Sequence, residues 1–202
     1  MKREERKNQY QETILSSAYA LLQSREWKNI KADDIAREAE ISKKTLYFYF
    51  SSLDEIYLKL IKQSFMKLNQ AFDMEIDMNL EIKELLTKLA YVYLRFSFDH
   101  PLETTLMIHY NRLTYQSEFI DIVNDIDEIA NKYEIFNLFK DKHLDEEIYT
   151  RQIALFLWSY IIGFIYLLQN KNQWITEYYG QSSTQTIKSH IAILRKVMDD
   201  LL

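Results

Sequence analysis

The stretch IAREAEISKKTLYFYF, residues 35–50, decides the fold. Ile35, Ala36 and Ala39 recur at helical spacing, a short turn without glycine or proline follows, and Ile41, Leu46 and Phe50 repeat the spacing. Two short helices joined by three or four residues make a helix-turn-helix, whose second helix stands out far enough to enter the major groove of DNA. With Leu46 and Phe50 turned inward, Lys43, Lys44, Tyr47 and Tyr49 are set outward or along the flanks, and Ser42 is placed as an N-cap. Lysines near the start of such a helix suit phosphate or a guanine edge. Tyrosine hydroxyls bond phosphate while their rings lie against sugar or a thymine methyl. A solvated helix carrying structural tyrosines has the same spacing, and the pattern alone does not separate the two.

Working outward, Tyr10, Ile14, Ala18, Leu21 and Leu22 share one stripe of a first helix, and Trp27 and Ile30 occupy a short connection after it. On the other side, Ser52-Leu-Asp-Glu55 is a capping-box pattern that opens a helix over 52–78 with the stripe Leu53, Ile56, Tyr57, Leu60, Ser64, Leu68, Phe72. Further stripes run Ile82 to Phe96, Phe119 to Tyr133 and Ile187 to Leu201, with a break at His100-Pro101, where Pro101 suits a first helical position. Strand-and-turn architectures need glycine and proline at their turns, and 202 residues hold only two glycines and one proline. The expected fold class is all-α. A three-helix helix-turn-helix domain at 1–51 is joined by the helix 52–78 to a larger helical domain within 52–202.

The net charge of −5 hides an asymmetry. Residues 1–50 carry ten Lys/Arg against eight Asp/Glu, and residues 51–202 fifteen against twenty-two. A weakly basic front suits a polyanion better than the average does. Without cysteine there are no disulfides, thiolate metal sites or cysteine nucleophiles. His100, His109, His143 and His190 are scattered, with neither a His-Glu-x-x-His run nor a phosphate-cradling glycine loop, so no catalytic residue, metal or cofactor is assigned and no enzyme is expected. Asp33-Asp34 diverge by about 100° on a helix and read as a solvated face. The amino terminus lacks the apolar stretch of an export signal, and 153–168, IALFLWSYIIGFIYLL, is shorter than the roughly 20 residues that cross a bilayer. A cytoplasmic protein, with that run as a helix buried on several sides, is expected.

IAREAEISKKTLYFYFSSLDEIYLKLI resembles the DNA-binding signature of the TetR family of bacterial regulators, with its Ile-Ala core pair, Ile-Ser turn exit and Thr-Leu-Tyr-x-x-Phe recognition helix. The resemblance covers residues 10–62, and beyond them it extends to architecture alone. It implies DNA contacts at Lys43, Lys44, Thr45, Tyr47 and Tyr49, with Lys31 reaching phosphate from the start of the second helix. Three departures stand out. Glu40 replaces a customary turn glycine, at a cost of about 1 kcal/mol where the backbone is left-handed. Glu26 replaces another glycine, and Leu53 a lysine.

The resemblance also implies a ligand cavity in the back domain, for which Tyr91, Phe96, Met107, Tyr110, Trp158 and Phe164 supply large side chains and Arg95, His109 and Arg112 a polar end. Aromatics at helical spacing equally fit a core. The last two helices carry more apolar surface than one subunit uses and suit a homodimer, with Gly163 and Ala154 allowing close approach. The implied function is a ligand-responsive, dimeric transcriptional regulator, a repressor released from a palindromic double-stranded operator by an unknown small-molecule effector. The alternative is a DNA-binding scaffold whose back domain takes a protein partner.

Overall fold

The computed structural model describes residues 3–115, 117–133 and 147–201; His143 and the Ala154 side chain lie outside the described set. All regular structure within it is helical. Contacts gather the chain into two compact units, Met1–Ser64 with His109–Asp127, and Phe65–Ile108 with Glu128–Leu202.

The first unit opens with α1 (Arg3–Leu22), a 3₁₀ turn at Trp27–Asn29, α2 (Ala32–Glu38) and α3 (Lys43–Tyr49). Helices as short as α2 and α3 do not persist alone in water, so packing holds them. Ile14 and Ala18 of α1, Ile35 and Ala36 of α2, and Leu46 and Phe50 around α3 are buried together. The small side chains on α1 and α2 let the backbones approach closely.

Next comes α4 (Leu53–Glu75), whose residues up to Ser64 belong to this unit. Ser52 Oγ accepts the Glu55 N–H at 3.2 Å, as a capping box requires. The reciprocal bond has moved one residue upstream: Glu55 Oε2 accepts from the Ser51 N–H at 2.7 Å and from its hydroxyl at 2.8 Å. The unit is completed by α7 (Arg112–Tyr115) and most of α8 (Ile120–Ala130). Stacking of Trp27 on Tyr57 (4.9 Å), a tilted contact of Tyr115 with Tyr57 (6.5 Å) and a Lys62–Asp125 ion pair (2.5 Å) attach these pieces to α4.

In the second unit α5 (Ile82–Asp99) is the central element. It buries Leu85, Leu86, Leu89, Val92, Leu94 and Phe96 against α9 (Glu147–Tyr179) and α10 (Ser183–Leu201). Pro101 begins α6 (Pro101–His109) at the first helical position, where its missing N–H costs nothing. Buried Glu103 is neutralised by Lys67 Nζ at 2.6 Å.

The expectation for 153–168 is met on one side only. Ile153, Leu157, Ile161, Phe164, Ile165 and Leu168 are buried, whereas Leu155, Phe156, Trp158, Tyr166 and Leu167 of the same run are exposed. Among the described residues no helix covers the other side of this rod, which is apolar all round. Helix α9 carries a non-helical residue at Lys171 and ends at Gly180, whose φ of 63° is the left-handed stop that glycine supplies without strain. Among the described residues no helix is long and apolar enough to cross a membrane.

Candidate nucleic-acid interface

Lys31 is the N-cap of helix α2, and its backbone N–H donates to Asp34 Oδ2 at 3.0 Å. That bond, with Arg25 and Arg37 nearby, holds the Asp34 carboxyl below its usual range. Asp33 and Asp34 diverge as adjacent helical residues must, but neither is idle: Asp33 Oδ2 accepts from Lys43 Nζ on α3 at 3.0 Å. The resulting pair raises the Lys43 ammonium above its ordinary value, chiefly through that hydrogen bond.

Between the helices the chain turns at Glu40, φ 53°. The Ile41 N–H reaches back to the Ala36 carbonyl at 2.9 Å and the Glu40 N–H to that of Arg37 at 3.2 Å, which is a Schellman closure. This is the left-handed position that glycine fills without a Cβ clash. Ser42 then caps α3 by accepting the Thr45 N–H at 3.0 Å, while the Ser42 and Thr45 hydroxyls lie 2.8 Å apart.

At about 100° per residue, Leu46 pointing into the core sets Lys44 and Phe48 on the opposite face and Tyr47 to one side. Lys44, Tyr47 and Phe48 are exposed, Phe48 at 77%. Thr45 is half-buried against its cap. Tyr49 is turned back, its ring stacked on Tyr10 of α1 at 5.0 Å. Lys31 is exposed beside the start of α2. The six sequence-predicted residues thus divide into an outward pair (Lys44, Tyr47), an ion-paired flank (Lys43), a capping threonine, a tyrosine leaning on α1, and Lys31. Phe48 was missed by the sequence reading, although its distance of four residues from Lys44 placed it on the same face.

The residues considered for a ligand are dispersed. Phe96, Met107 and Phe164 are buried in one core cluster, with Tyr91 packed at its edge. The Phe164 ring stacks on His190 at 3.8 Å. Arg95 lies over Tyr91 at 5.6 Å and pairs with Glu75, whose carboxyl it holds below the ordinary value with help from Lys88. Trp158 faces outward from α9 at 58% exposure. His109 and Tyr110 belong to the first unit, where the Tyr110 hydroxyl donates to Asp127 at 3.4 Å and Arg112 forms an ion pair with the same carboxylate. Among the described residues no group of three or more His, Cys, Asp or Glu is placed to hold a metal ion.

Known proteins agree with this geometry. The family described as bacterial regulatory proteins, tetR family, matches residues 14–60, which span α1 to α4 of the first unit. The HTH-type transcriptional regulator EthR of Mycolicibacterium smegmatis is 38% identical over 60 residues, 30% of this chain, and the match spans only 28% of that protein's length. In overall fold the chain is similar to a TetR-like transcriptional regulator from a Rhodococcus species, with a TM-score of 0.60, 16% identity and coverage of 94% of this chain and 96% of the other. It is likewise similar to the fatty acid degradation regulator FadR of Bacillus halodurans, with a TM-score of 0.60, 14% identity and coverage of 91% and 93%. The helix-turn-helix of residues 14–60 is thus that of the bacterial regulatory proteins of the tetR family, and the chain as a whole shares the fold of a TetR-like regulator.

Proposed function

We propose that the protein is a homodimeric, ligand-responsive transcriptional regulator that represses by binding a palindromic operator and is released from it by a small molecule. One observation carries the DNA-binding part: α3 exposes Lys44 and Phe48 on the face opposite the core with Tyr47 beside them, held out by a capped helix whose inner face is buried. A solvated helix gains nothing from exposing a phenylalanine, whereas a groove-reading one uses it against a thymine methyl. Lys44 and Tyr47 supply donors to phosphate or base edges, and Lys31 adds a phosphate contact from α2. Thr45 and Tyr49 serve at the flanks, Tyr49 with its ring braced on Tyr10.

The dimer reading rests on the outward apolar face of α9 and α10. Leu155, Trp158, Tyr166 and Leu167 are joined by Ile193, and Gly163 has open space where a side chain would stand. An isologous pairing of two such helix pairs buries them and gives the dimer two α3 helices, one for each half-site of a palindrome. The effector reading rests on the adaptable cluster of Phe96, Met107 and Phe164, with the Arg95–Glu75 pair beside Tyr91 as a polar group.

A mobility-shift assay on the DNA upstream of the protein's own gene tests the DNA-binding part of the proposal. Wild-type protein is expected to give a discrete, salt-sensitive shift, which Lys44→Ala and Tyr47→Phe each weaken roughly 5- to 150-fold without loss of helicity. Wild-type affinity in both variants would remove α3 from the groove.

A further inference from the structure

Lys43, at the start of the second helix of the helix-turn-helix, is held by an ion pair that crosses the turn. Its Nζ lies 3.0 Å from Asp33 Oδ2, ten residues back and on the neighbouring helix. Asp34, the adjacent carboxylate, is committed elsewhere, to the Lys31 N–H and to Arg37 and Arg25. Asp33 has no such duty in closing α2, so its hydrogen bond to Lys43 is not a by-product of capping.

We propose that Asp33 sets the protein's sequence-independent affinity for DNA, by holding Lys43 in an internal ion pair that a phosphate must displace. The inference rests on the DNA-binding reading above and adds a residue to it. Sequence-independent binding comes almost wholly from cations replacing the counterions condensed on DNA, each contact steepening the dependence of log K on log salt by about 0.9. When Lys43 leaves Asp33 for a phosphate, one counterion leaves the DNA but the freed carboxylate recruits a cation from solution. The exchange therefore gains almost nothing from ion release, and Lys43 counts as a silent contact on random DNA. Where Lys44, Tyr47 and Phe48 find matching bases, their contacts draw α3 into the groove and supply what breaking the pair requires. Asp33 thereby widens the gap between operator and bulk DNA.

The test uses full-length wild type, Asp33→Asn, Lys43→Gln and the double variant, titrated onto a fluorescent 30-base-pair duplex of mixed sequence across a range of NaCl. Asparagine has the shape of aspartate and leaves the Lys31–Asp34 bond in place, and circular dichroism confirms that each variant is folded. Asp33→Asn is expected to steepen the salt slope by about 0.9 per bound subunit, equivalent to roughly eightfold tighter binding at 0.1 M salt relative to 1 M. In the Lys43→Gln background the same substitution is expected to leave the slope unchanged. A wild-type slope in Asp33→Asn, or a steepening that persists without Lys43, would overturn the inference while leaving DNA binding intact. Failure of all four proteins to bind the duplex at low salt would instead overturn the DNA-binding reading, and this inference with it.

Discussion

Replacing Glu40 by glycine should stabilise the protein, because the turn between α2 and α3 carries an ordinary side chain at φ 53°. A left-handed backbone brings the Cβ of an L-residue against the following carbonyl, at a cost of about 1–2 kcal/mol. The Schellman bonds of Ile41 to Ala36 and Glu40 to Arg37 require that conformation, so Glu40 cannot relax out of it without opening the end of α2. Glycine removes the clash but loosens the unfolded chain, which returns about 0.4–1 kcal/mol. The net expectation is a gain of about 0.5–1 kcal/mol, or a rise in Tm of about 1–4 °C for a chain of this size. Urea and thermal unfolding followed by circular dichroism would measure it. Glu40→Ala is the necessary companion, since it removes the carboxylate and keeps the clash, and it should lie within about 0.5 kcal/mol of wild type. Glu40→Asn, more at ease in the left-handed region, should fall between alanine and glycine. A glycine variant no more stable than wild type, or an alanine variant as stable as glycine, would show that the turn is not under strain.

The other predictions concern assembly and acid stability. Ile193→Glu and Trp158→Glu each place a charge on the outward face of α9 and α10 and should yield folded monomers by sedimentation; dimers in both would put the subunit interface elsewhere. Leu194→Glu, one residue along but 2% exposed, should instead unfold the second unit. Glu75 titrates below its ordinary value of 4.5 in the folded state, so the stability it contributes is complete above the unfolded pKa and is lost as pH falls through the folded one. Glu75→Gln should accordingly be less stable than wild type near neutrality and converge with it in strong acid; parallel curves across the acid range would show that the pair with Arg95 carries no linkage.

The helix order was legible because few residues break the helical periods and those that do, Ser42, Ser52 and Pro101, mark helix starts. The outward position of Lys44 and Tyr47 was legible too, since Leu46 and Phe50 fix the rotation of α3. Tyr49 was not, because its direction depends on Tyr10, nearly forty residues away on α1. The partner of Lys43 was hidden for a similar reason: Asp33 reaches it only through the geometry of the Glu40 turn. Trp158 and Phe164 show the limit of periodicity, for on a helix apolar all round nothing in the sequence tells the inward face from the outward one. The capping box at Ser52 shows a finer limit, since the motif predicted the bond to the N-cap oxygen but not that Ser51 would take the glutamate.

The stacking of Trp27 on Tyr57 has a spectroscopic consequence. Of the three tryptophans, Trp158 and Trp174 are more than half exposed in the second unit, and Trp27 is half-buried against a tyrosine ring in the first. Iodide in solution should quench the former pair preferentially and leave a residual, blue-shifted emission belonging to Trp27. That residual light reports on the helix-turn-helix unit alone, so the unmodified protein carries its own optical label for the part that meets DNA, separable from the rest of the chain without a single substitution.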